Sequence, residues 1–141
     1  MSIFLLALIA AVISQVLGWI WHGAIFGKKW AHANGTEVEM HHGSHKEIIK
    51  KMWVPAILNL VVNYIMAFAV FLLLANFGVS NIAQSLVTAA VLFVGFVIPL
   101  QTISTVWNGK SAKSKWTTFL ITVGFQLISF AIWALLFIWL A

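Results

Sequence analysis

The sequence predicts an all-α integral membrane protein, a four-transmembrane-helix bundle with both termini outside. Two observations carry this expectation: how few charges the chain has, and where they fall. Of 141 residues, 62% are hydrophobic and 8% charged, against about 25% charged in a soluble domain, and the mean hydropathy is +1.02. Every charged residue lies in the windows 28–51 and 110–115, leaving uncharged blocks at 1–27, 52–109 and 116–141. A helix needs roughly 20 apolar residues to cross a bilayer core. The first and last blocks therefore hold one span each, and the 58-residue middle block holds two. The whole chain, 1–141, reads as one transmembrane domain.

The first helix is expected over about 2–26, ending in Gly27-Lys28-Lys29-Trp30. The start, Met1-Ser2-Ile3-Phe4, lacks the basic region of a signal peptide, so this helix is expected to be retained. The loop at 27–52 carries five lysines and three glutamates. Thr36-Glu37-Val38-Glu39 and Ser44-His45-Lys46-Glu47 both fit the capping-box pattern, in which a hydroxyl and a later carboxylate satisfy the free amides of a helix start. The second is followed by Ile48, Ile49 and Met52 among Lys46, Lys50 and Lys51, an amphipathic segment suited to a lipid interface. It leads into the second helix, about 53–75, with Pro55 setting a bend or a new first turn. A breaker-rich turn at 76–81 precedes the third helix, about 82–106. The fourth fills about 116–140.

Both lysine-bearing loops fall on one side of a four-span chain, and the positive-inside rule makes that side cytoplasmic. The termini and the 76–81 turn then face outward. Trp30, Trp53, Trp107 and Trp116 stand at the inner helix ends, where an aromatic belt belongs.

Several chemistries are excluded by composition. There are no cysteines, so disulfides, thiolate metal sites and cysteine nucleophiles drop out. The net charge of +5 sits in membrane loops and orients the chain rather than binding nucleic acid. No Asp, Glu, Lys or Arg falls inside an expected span. A proton-coupled exporter needs a buried carboxylate with a tuned pKa, and a voltage sensor needs buried cations. The chain resembles neither.

Polar residues inside the spans remain as candidates, because each is costly in lipid without a partner. Gln15, Gly18, Trp19, His22 and Phe26 recur at helical spacing on the first helix. Asn59 and Asn63 lie one turn apart on the second, and Thr118, Thr122, Gln126 and Ser129 form a stripe on the fourth. At 1.5 Å per residue, Gln15, Asn63 and Gln126 come out near mid-bilayer. The candidate interior polar layer is Gln15, Trp19, His22, Asn59, Asn63 and Gln126. It can act as interhelical glue, each bond worth on the order of 0.6–2 kcal/mol, or as a polar path for a small solute.

His41, His42 and His45 form a weak metal candidate. Four residues separate His41 from His45, which on a helix puts both on one face. Gly43 weakens such a helix, and no carboxylate stands at the HExxH position. A solvated, pH-sensitive loop is the favoured account, because a short His-rich tract is only compositional evidence, and no cofactor or metal is expected.

Leu17-Gly18-Trp19-Ile20-Trp21-His22-Gly23-Ala24-Ile25-Phe26-Gly27-Lys28-Lys29-Trp30 resembles the opening signature of the bacterial membrane family catalogued as domain of unknown function 1761. That signature reads glycine, then tryptophan–tyrosine, then phenylalanine–glycine–lysine, then tryptophan. Ser114-Lys115-Trp116 through Gly124-Phe125-Gln126-Leu127-Ile128-Ser129 resembles the family's last helix with its glycine–tyrosine–histidine step. The family's tyrosine after tryptophan stands here as His22, and its last-helix histidine as Gln126. The resemblance implies four helices in a bacterial inner membrane and implies no activity.

Three function classes follow. The first is a transport or channel protein using the amides around Gln15, Asn63 and Gln126. The second is a non-catalytic membrane scaffold or accessory subunit. The third, an enzyme acting on lipid, is weakest, because His22 has no acid or nucleophile beside it in the sequence. The chain is therefore not expected to be an enzyme. Its expected partners are the bilayer and further copies of itself, since small residues such as Gly18, Gly23, Gly95 and Gly124 permit close helix contacts.

Overall fold

The computed structural model of the protein describes residues 1–35 and 45–141, and every regular element among them is helical. Helix α1 covers Ile3–Trp19, α2 Gly27–Asn34, α3 His45–Asn76, α4 Ile82–Leu92, α5 Ile98–Val106 and α6 Ala112–Leu140. A π-helical turn at Ile20–Ile25 extends α1, and another at Phe93–Val97 joins α4 to α5. Among the described residues, four stretches are long and apolar enough to cross a membrane: Ile3–Ile25, Ile49–Asn76, Ile82–Val106 and Ala112–Leu140. The protein is a four-helix, multi-pass membrane protein.

Local chemistry sets the helix ends. Ser2, Asn81 and Ser111 cap α1, α4 and α6, each side-chain oxygen accepting from a backbone N–H three residues on. Gly35 closes α2 at a φ of 70°, a left-handed stop that a residue with a Cβ adopts only with strain. Pro99 has no N–H to offer Gly95, and the π-helical turn at Phe93–Val97 lies just before it.

Two boundaries differ from expectation. The second helix begins at His45 rather than near Trp53 and runs unbroken through Pro55. The amphipathic segment is thus the first turns of the span rather than a separate connector. Proline there frees only the carbonyl of Lys51, which stands at the exposed end of the helix where polar surroundings can satisfy it. The fourth helix begins four residues before Trp116 because Ser111 supplies its cap. The motif at Thr36-Glu37-Val38-Glu39 and the capping serine Ser44 lie outside the described residues.

Helices α1 and α6 form the middle of the bundle. The α1 helix packs on α3 and α6, and α6 also takes α2, α4 and α5. The inward face of α1 is a stripe of small side chains, Ala7, Ala10, Ala11, Ser14 and Gly18, all buried, which lets neighbouring helices approach closely. At the end of the bundle that carries the termini, the interior is filled. Leu6, Phe71, Leu74 and Trp133 are at most 1% exposed, and Phe71 stacks on Phe137 with centroids 6.1 Å apart. The opposite half is looser. From Ile49 to Val62 no described side chain of α3 is buried, and only Ala56 and Leu60 are half-buried.

Candidate functional site

The segment from Gly18 to Asn34 docks on the first half of α6. Widening of the helix at Ile20–Ile25 changes the phase of the side chains, so Trp21 turns toward α6. Its indole Nε1 donates to the Ile121 carbonyl at 2.8 Å. The ring lies over Gly124, where a Cβ would come within 3.0 Å of Trp21 Cζ2. His22 follows. Its Nδ1 donates to the Gly18 carbonyl at 3.1 Å, and its ring meets Trp30 and Phe125 edge-on at 4.5 and 5.3 Å. Beyond the turn at Phe26, Asn34 of α2 donates to Thr118 Oγ1 at 3.4 Å and accepts from Lys110 Nζ at 3.2 Å. The two sequence segments that carried the family resemblance are thus one packed unit.

A second cluster lies deeper. Gln15 is buried, and its Nε2 donates to the Ala56 carbonyl of α3 at 3.3 Å while its Oε1 accepts from Asn59 Nδ2 at 2.7 Å. The preceding residue of α1, Ser14, faces α6 instead, and its Oγ accepts from Trp133 Nε1 at 2.9 Å. Asn63 and Ser129 are 7% and 3% exposed. Asn63 Nδ2, Gln126 Oε1 and Ser129 Oγ are buried with no hydrogen-bond partner among the described residues.

The six residues of the expected interior layer therefore separate. Gln15 and Asn63 are buried, and His22 and Gln126 are half-buried. Trp19 is 60% exposed and does not belong to the layer. The buried face of α1 runs through Ser14, Gln15 and Gly18, and Trp19 projects beside it; its spacing from Gln15 concealed that. Asn59 is likewise exposed, at the rim rather than inside, although its Nδ2 reaches Gln15. His41, His42 and the side chain of His45 lie outside the described residues. Among the described residues no group of three potential metal ligands converges.

Trp21, Ser14 and Trp133 carry two of the short polar contacts between spans and were not singled out from sequence. Trp21 had a usable signal, since it lies in the first family segment opposite Gly124 in the second. Ser14 and Trp133 had none, being an ordinary serine and an ordinary aromatic on apolar helices.

No curated protein and no solved structure matches the chain. A family model matches residues 5–138, nearly the entire sequence. The chain belongs to the family described as Protein of unknown function (DUF1761).

Proposed function

We propose that the protein is a non-enzymatic membrane scaffold or accessory subunit of a bacterial inner membrane, working as a homo-oligomer with its lysine loops in the cytoplasm. The observation that carries this reading is the filled half of the bundle around Leu6, Phe71, Leu74 and Trp133, each at most 1% exposed. A solute crossing the interior of one chain would have to displace these side chains. The polar contacts that flank them, Trp133 to Ser14 and Trp21 to Ile121, join helix to helix and present nothing to a substrate. Around His22 the partners are a carbonyl and two aromatic rings, a set that supplies neither acid nor nucleophile. Asn59 favours assembly: its Nδ2 already bonds Gln15, and the rest of this exposed amide gains by finding a partner on a second copy.

Transport of a small neutral solute is the second reading, favoured by the unpartnered polar atoms of Asn63, Gln126 and Ser129. Stopped-flow measurement of water and small neutral solutes entering proteoliposomes separates the two. The scaffold reading expects rates equal to those of protein-free liposomes. A saturable rate above that baseline, lost in Gln15→Leu, overturns it in favour of transport.

A further inference from the structure

We infer that Asn63, Gln126 and Ser129 form a binding site for a buried water molecule between α3 and α6. Each presents a buried polar atom with no hydrogen-bond partner among the described residues. The three are chemically complementary: Nδ2 of Asn63 can only donate, Oε1 of Gln126 can only accept, and the Ser129 hydroxyl does both. Had they lain within reach of one another they would have paired directly. A water molecule has two donors and two acceptors and typically makes about three bonds when buried in a protein.

The register of the helices sets the three at one level of the bundle. Both α3 and α6 run in the same direction, and the stack of Phe71 on Phe137 fixes their offset. Asn63 and Ser129 both lie eight residues before that pair, and Gln126 three residues before Ser129. At 1.5 Å per residue the three stand within roughly 4.5 Å of one level along the bundle. Ser129 is one turn from Trp133, whose indole is already committed to Ser14, so that neighbour cannot serve it. No charged side chain lies in the apolar stretch around them, which suits a neutral occupant. The site explains the unpartnered atoms without a path across the bundle, and it stands independently of the scaffold reading.

The test uses full-length protein in lipid nanodiscs, with two readouts. In water-edited solid-state NMR, polarisation from water should reach the Asn63 side-chain amide at short mixing times. The Trp133 indole N–H, bonded to Ser14, should lag. Ser129→Ala, which barely alters packing, should slow the transfer to Asn63. In thermal melts, Asn63→Leu and Gln126→Leu should each lower the midpoint, and the double variant should recover most of the loss, since removing both partners abolishes the need for the water. Transfer to Asn63 no faster than to Trp133 overturns the site, and so do strictly additive melting shifts.

Discussion

Trp133 Nε1 donates to Ser14 Oγ at 2.9 Å, and both residues are 1% exposed. This bond ties the first span to the last inside the most tightly filled part of the bundle. It also satisfies the indole N–H, which would otherwise be buried without a partner. Ser14→Ala should therefore cost about 1 kcal/mol, within the range of roughly 0.6–2 kcal/mol for polar contacts between membrane helices. Thermal melts in mild detergent check this. An unchanged midpoint would mean that the indole finds another partner.

Gly124 and Gly23 are both glycines near the family signature, yet their surroundings differ. A Cβ on Gly124 would meet Trp21 Cζ2 at 3.0 Å, whereas nothing lies within 4 Å of one on Gly23. Gly124→Ala should shift the indole by a few tenths of an ångström and loosen its bond to the Ile121 carbonyl, at a net cost of about 1 kcal/mol, the lower end of overpacking. Gly23→Ala should be nearly silent. Melting midpoints and the tryptophan emission maximum report both outcomes.

The native chain has no cysteine, which makes single-cysteine labelling clean. Lys46 and Lys113 are exposed at one end of the bundle, and Ser80 at the other. With the lysine loops in the cytoplasm, Ser80→Cys should react with a membrane-impermeant maleimide on intact cells. Lys46→Cys and Lys113→Cys should react only after the membrane is opened. The reverse pattern would place the termini inside.

Much of the architecture was legible because it depends on solvent preference averaged over long stretches. Uncharged blocks of sufficient length become spans wherever their side chains point, so the four spans follow from the positions of Lys28, Lys51, Lys110 and Lys115. Individual orientations depend on local phase instead. Trp19 looked inward by its spacing from Gln15, but the buried stripe passes through Ser14 and Gly18 and leaves it outside. Trp21 was overlooked because a regular helix gives no warning of the π-helical turn that re-aims it. Asn59 reads as interior because it lies one turn from Asn63, yet around it the side chains from Ile49 to Val62 are exposed or half-buried, which puts it at the rim.

Gln15 links α1 to two groups on α3, the Ala56 carbonyl and the Asn59 amide. Its replacement by leucine should loosen the inner half of α3 without unfolding the terminal half, where Phe71 and Leu74 stay packed. Hydrogen exchange should accelerate between Ile49 and Leu60 and stay slow beyond Ala67. Uniform acceleration along α3 would show that the two halves do not behave separately.

The closure of the bundle at its terminal end is best tested by thiol accessibility. Ala10, Ala67 and Ala134 are all 0% exposed, and alanine-to-cysteine replacement adds one atom at each. Intact cells carrying Ala10→Cys, Ala67→Cys or Ala134→Cys would be treated with a small hydrophilic methanethiosulfonate, with Ser80→Cys as the reactive reference. A filled, non-conducting core predicts that all three resist modification while Ser80→Cys reacts fully. Rapid modification at Ala10 and Ala67 from the outside would mean that water reaches the middle of the bundle, and would contradict the scaffold.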